Sequence, residues 1–134
     1  MTTFTGGCVC GAIRYECDAD PIMMFKCHCR DCQHVTGGAY APVLLFPRKD
    51  VRITKGTLQR YSTESMAGGE HERGFCSRCG SRVSGGKSAT AIGIVAGSLD
   101  DPSLFRPTMD IHVADAQPWD LLEPATTKFD RYPT

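Results

Sequence analysis

A mainly β domain follows from three features of the chain. Short runs of alternating apolar and polar residues recur along it, Gly and Pro interrupt them at close intervals, and no window of helical length sustains a 3.6-residue apolar period. At 134 residues the chain has the length of one ordinary domain, residues 1–134, with a core expected over about residues 4–125.

The elements follow in order. In GAIRYEC, Ile13, Tyr15 and Cys17 alternate with Ala12, Arg14 and Glu16, the period of a half-buried strand. Cys17 falls on its apolar side, where a free cysteine behaves as a small buried hydrophobe. Further strands are expected at residues 22–26, 40–46, 51–54, 58–62, 71–75, 91–96 and 109–113, most of them bounded by turn residues. Residues 31–36 predict one short helical turn after Cys29. Residues 102–105 predict another, capped by Asp100 or Asp101, so the paired carboxylates of GSLDDP read as turn chemistry. From Thr126 the chain reads as a loosely attached tail.

Charge narrows the partners. Lys plus Arg equal Asp plus Glu at 15 each, so no surplus of cations exists to neutralise nucleic acid or an anionic membrane, and neither is an expected partner. The opening MTTFTGGCVC has neither the cationic start nor the apolar stretch of an export signal, which predicts a cytoplasmic protein. The most apolar segment, AYAPVLLF, contains Pro42 and is far shorter than the roughly 20 residues a helix needs to cross a bilayer. It predicts a buried strand.

Seven of the eight cysteines sit in CxC, CxCxxC and CxxC clusters. Such grouping favours metal binding over a disulfide framework, whose cysteines are dispersed between loops. In CSRCG, a CxxC turn can bring two thiolates to one ion, and Gly80 can take the positive φ that aims backbone amides at the sulfurs. Cys8 and Cys10 are the natural second pair. Two residues of regular strand span about 6.6 Å, whereas sulfurs around a tetrahedral zinc stand only about 3.8 Å apart. The chain must bend there, and Gly6, Gly7 and Gly11 bracket the pair. Cys8, Cys10, Cys76 and Cys79 thus form a closed structural site tying the start of the chain to its middle.

Cys27, Cys29 and Cys32 in CHCRDCQ are left as a triple. His28, His34 or Cys17 could complete a second closed site; without a fourth ligand, one coordination position stays open to water or substrate. Three thiolates on a divalent ion leave a net charge of minus one, which weakens the Lewis acid yet still lets it ionise an incoming thiol. The companions of metal-assisted hydrolysis are missing: the chain has no HExxH and no HxE…PCxxC pattern. Iron can occupy thiolate sites of similar geometry, so the spacing alone leaves zinc and iron open. Redox exchange through CxxC ranks lower, because metal-held thiolates are occupied and no thioredoxin-like βαβ pattern surrounds them.

The order GGCVCGAIRYE, CHCRDCQHVTGG, GFCSRCGS, GSLDDP and PW resembles the glutathione-dependent formaldehyde-activating enzyme family, which includes centromere protein V, over roughly residues 6–119. The resemblance implies a β-tent fold of short antiparallel sheets around zinc. It also implies two zinc ions, a structural one on Cys8, Cys10, Cys76 and Cys79 and a catalytic one on Cys27, Cys29 and Cys32. The implied activity is that of a carbon-sulfur lyase on S-hydroxymethylglutathione or a related thiol adduct, with glutathione or another small thiol as partner. The chain looks like the compact branch of the family. Beside the triple, Arg30, Gln33, Thr36 and Gly37 are the expected substrate-binding residues, Arg30 as a partner for a carboxylate, and Trp119 is expected to pack in the core or to form a lid over the sheet. The competing reading is a non-catalytic zinc-stabilised binding or scaffold domain.

Overall fold

The computed structural model describes residues 2–66 and 68–133. Strands run in chain order as β1 (Phe4–Gly7), β2 (Arg14–Cys17), β3 (Met23–Cys27), β4 (Ala41–Pro47), β5 (Val51–Lys55), β6 (Gln59–Glu64), β7 (Glu70–Phe75), β8 (Arg82–Gly86), β9 (Ala91–Val95), β10 (Met109–Ile111) and β11 (Thr127–Lys128). One α-helix, α1 (Arg30–Thr36), follows β3. The fold is mainly β, and the helical segment expected at 31–36 is α1 within one residue.

β1, β2 and β5 form a small antiparallel sheet. The large sheet has the order β11-β10-β3-β4-β9-β8-β7-β6. Its pairings are antiparallel except at β10, which runs parallel to both β3 and β11. Parallel neighbours cannot be joined by a tight hairpin, and β10 is reached from β9 through 3-10 turns at Ala96–Ser98 and Pro102–Leu104. Asp101 caps the second turn by accepting from Ser103 N at 3.1 Å, and Asp100 instead pairs with Arg14 and Thr5.

Alternation along β4 divides the molecule. Leu44 and Phe46 enter the main core with Phe4, Tyr15, Cys17, Leu58, Val83 and Ile94, which come from both sheets. Phe4 and Phe46 meet edge to face at 5.1 Å, and burying side chains of this size stabilises the fold by about 1.5–3 kcal/mol each. Ala41 and Val43, on the other face of β4, pack with Cys27, Cys32, Phe25 and Ile111. One face of the large sheet therefore holds the core, and the other carries the cysteine triple. Pro42 sits within β4 without breaking it.

Strands β1, β8 and β11 lie outside the strands expected from the sequence. Gly6 and Gly7 hide β1, but they are there for close approach: a methyl group at Gly6 would collide with Ser98 O and Tyr15 Oη, and one at Gly7 with Ile13 O. Of the bracketing glycines only Gly11 has the left-handed conformation, at φ 80°. The tail expected from Thr126 is tied down. β11 pairs with β10, Thr126 is buried and its hydroxyl donates to Asp110, His112 N donates to Arg131 O at 2.8 Å, and Tyr132 packs on His112 at 4.6 Å. The core thus extends past residue 125.

Candidate metal centres and the cavity beside them

Two turns of similar build carry the four-cysteine cluster. On the turn between β1 and β2, Cys8 N donates to Ile13 O (3.2 Å) and Gly11 N to Cys8 O (3.2 Å). On the turn between β7 and β8, Cys76 N donates to Ser81 O (2.9 Å) and Gly80 N to Cys76 O (2.8 Å). Gly11 and Gly80 have nearly equal φ values of 80° and 79°. Each turn aims an amide at a sulfur: Ile13 N at Cys8 Sγ (3.2 Å) and Arg78 N at Cys76 Sγ (3.4 Å). Val9 N donates to Ser81 Oγ at 3.1 Å and joins the two.

Cys8 Sγ lies 3.6 Å from Cys10 Sγ, and Cys10 Sγ lies 3.8 Å from Cys76 Sγ, close to the separation of sulfurs on a tetrahedral ion. The hydroxyl and amide of Ser81 and the amide of Cys10 hold the Cys79 thiol down to about 5. All four sulfurs lie within 4.8 Å of one another, so the set could hold a metal ion, as the spacing predicts.

The triple forms where β3 hands over to α1. Cys27 ends the strand, and Cys29, at φ −63° and ψ 156°, is the N-cap of the helix, its Sγ accepting from Cys32 N at 3.3 Å. A thiolate here takes the place of the usual Ser or Asp. Hydrogen bonds from Cys27 and Cys32 draw the Cys29 thiol down to about 2, and the same contacts, with burial, push Cys27 up. Three sulfurs so close share their protons unequally, and a cation can replace those protons. The three Sγ atoms also lie within 4.8 Å of one another, and no fourth His, Cys, Asp or Glu joins them among the described residues.

Each candidate fourth ligand is engaged elsewhere. Cys17 is fully buried in the main core and donates to Ala19 O. His34 stands 3.4 Å from Arg30 Nη2 and lines a separate depression with Trp119. His28, completely buried, turns its Nε2 to Asp110 and its Nδ1 to Asp120, each at 2.6 Å. Asp110 also receives the Thr126 hydroxyl and faces Lys26 at 3.5 Å. Burial pushes this carboxyl up, but Thr126, His28 and Lys26 together hold it below the usual range. A side chain committed to two carboxylates is a strut from the β3–α1 junction to β10 and to the loop that carries Asp120.

The expected substrate residues gather, but away from the triple. Arg30, Gln33 and Gly37 line the same depression as His34 and Trp119. Gln33 is internally satisfied, its Nε2 donating to His28 O (2.7 Å) and Asp115 O (3.0 Å) and its Oε1 accepting from Arg30 and Gln117. Thr36 bonds back to Cys32 O at 2.8 Å. Trp119 is 65 % exposed rather than packed on a sheet.

The space beside the triple is lined by residues that periodicity did not single out. A cavity of about 200 Å³ meets Cys27 and Cys32 and is walled by Phe25, Val43, Leu45 and Ile111, with His71, Arg82 and Lys87 at one side. A second cleft of about 280 Å³ reaches all three cysteines and shares His71 and Lys87. Burial, then Arg73 and Arg82, draws His71 down to about 4, so it is a neutral imidazole at physiological pH. His71 and Arg73, two apart on β7, share one face of the sheet, a pattern that reads as an exposed strand face until the register with β8, which sets Arg73 opposite Gly85, is known.

The arrangement agrees with what the chain is similar to. A family model described as glutathione-dependent formaldehyde-activating enzyme matches residues 3–115. A crystal structure of a Rhodobacter sphaeroides protein superposes with a TM-score of 0.58 at 19% identity, covering 93% of this chain and 98% of that one, a likeness of fold. No curated protein sequence matches the chain.

Proposed function

The chain belongs to the glutathione-dependent formaldehyde-activating enzyme family, and from that premise we propose that it is a zinc-dependent carbon-sulfur lyase acting on a thiol adduct of a small aldehyde, of the S-hydroxymethylglutathione type. The observation that carries the reading is the contrast between the clusters. Four cysteines are gathered in one cluster, enough to close a tetrahedral site, whereas only three form the other, which borders a cleft. The sulfur-only donor sets and their spacing suit zinc.

Zinc at the triple would supply an electrophile that favours the ionised form of the substrate sulfur. The chain does the rest. Cys27, Cys29 and Cys32 would hold the ion at the cavity wall, and Phe25, Val43 and Ile111 would exclude water from the substrate carbon. His71, held neutral, offers a ring nitrogen to the adduct hydroxyl. In cleavage the carbon-sulfur bond breaks with its electron pair going to sulfur while the hydroxyl proton, directed by its hydrogen bond to the His71 ring, is transferred to that sulfur, leaving the carbonyl and the free thiol. Adduct formation is the reverse.

Metal analysis of the purified protein is expected to give two zinc ions per chain. Added glutathione is expected to perturb the second metal only, and S-hydroxymethylglutathione to release formaldehyde. No perturbation by any thiol, together with no turnover of any thiol adduct, would return the protein to the scaffold reading.

A further inference from the structure

The wall of the cavity contains a cation, Arg82, with no carboxylate partner among the described residues. A bulge between Gly74 and Phe75 shifts the register of β7 and β8, so that Arg82 pairs with Phe75, and Arg82 Nη2 lies over Gly85. Only a glycine leaves room there: a methyl on Gly85 would collide with the Arg82 guanidinium and stand 3.3 Å from His71 Nε2. Arg82 Nη1 is buried with no hydrogen-bond partner among the described residues, and so are Nε and Nη2 of Arg73, a side chain only 7 % exposed. Arg82 donates weakly to Ser84 O (3.4 Å), and Arg73 to Thr63 Oγ1 (2.6 Å). Buried guanidinium groups are ordinarily matched to a carboxylate or other anion.

The thiolates do not cancel this charge. Three of them on a divalent ion carry minus one, against Arg82 and Lys87 in the lining and Arg73 nearby on β7, and no Asp or Glu among the described residues lines this cavity, Asp31 and Asp115 lying in the second cleft. The walls opposite, Phe25, Val43, Leu45, Val95 and Ile111, are apolar. Size adds a limit, because a cavity of about 150 Å³ holds a molecule the size of benzene, and this one measures about 200 Å³. A tripeptide is several times larger and would have to extend into the second cleft of about 280 Å³ as well.

We propose that the cavity selects a short aliphatic thiol bearing one anionic group, its sulfur toward the cysteine triple and its carboxylate on Arg82, in preference to glutathione. This names the substrate class of the site and rests on the reading of the triple as an open thiol-binding metal centre. Arg82 is the residue that sets specificity, with Arg73 adding positive potential.

The test uses the full-length protein loaded with cobalt, whose absorption reports a thiol entering the metal sphere. The probes are 3-mercaptopropionate, 1-propanethiol and glutathione, and calorimetry with butyrate against butyramide needs neither thiol nor variant. 3-Mercaptopropionate is expected to bind roughly tenfold or more tighter than 1-propanethiol, the worth of a charge-assisted hydrogen bond. Arg82→Gln is expected to bring the ratio of the two affinities close to one, and Arg82→Lys to restore part of it. Equal affinities for the two short thiols, with butyrate no better than butyramide, would overturn the anion site. Tighter binding of glutathione than of 3-mercaptopropionate would overturn the size limit. Butyrate binding with a cobalt spectrum unmoved by every thiol would uphold the anion site and defeat the lyase reading instead.

Discussion

His28 stands between two cysteines of a metal-binding motif and yet faces away from the sulfurs. In an extended segment successive side chains alternate, so if Cys27 and Cys29 converge, His28 must point the other way, and this much is legible in CHC. Its partners are not, since Asp110 and Asp120 lie 82 and 92 residues away. Removing one member of such a buried set leaves uncompensated charge, so His28→Ala is expected to cost about 3–5 kcal/mol of unfolding free energy by denaturant titration. His71 makes a prediction of opposite character. Its folded value near 4 lies below the ordinary 6.5, so the native state binds fewer protons than the unfolded chain between those values. The associated stability is present in full above about pH 6.5 and is lost on acidification toward pH 4. Acid also releases thiolate-bound metal. A comparison of His71→Gln with the parent isolates the imidazole, the variant being expected to show the shallower decline across that window.

Among the elements, α1 and the strands with clean alternation were readable because a local pattern decides them. β1 was not, since FTGG has the composition of a loop; it forms because Tyr15 and Ser98 come so close that only glycine fits opposite them. β8 was hidden for a related reason. The bulge at Gly74 breaks the alternation of RVSGG, and this irregularity is what brings Arg82 beside the triple. The C-terminal segment looked detached because its two-residue strand has no periodicity, yet it covers Asp110. Thr126→Val keeps the shape and removes the hydroxyl that Asp110 accepts from. This is expected to cost about 1–3 kcal/mol and to speed proteolysis of the tail, which limited digestion followed by mass spectrometry would show.

For the molecule as a whole, the two clusters make unequal contributions to folding. The four-cysteine set joins the β1–β2 turn to the β7–β8 turn across 66 residues, from Cys10 to Cys76, whereas the triple spans only the end of β3 and the first turn of α1. Closing the longer loop restricts the unfolded chain more, and binding free energy there is folding free energy. Cys79→Ser is therefore expected to lower Tm by several times as much as Cys29→Ser in thermal unfolding of the metal-loaded protein. Equal losses would mark both ions as structural. Chelation is expected to unfold the domain cooperatively rather than release one edge. The seven clustered cysteines, their division into four and three, and the mainly β class were determined by the sequence itself, because ligand spacing and side-chain period are local properties that a bare chain displays. What lies across from the triple was decided only in three dimensions: His71, Arg73 and Arg82 come from strands 40 to 50 positions downstream of it. Nothing in their own neighbourhoods distinguishes them from ordinary surface residues until sheet register and a glycine-sized gap turn them inward.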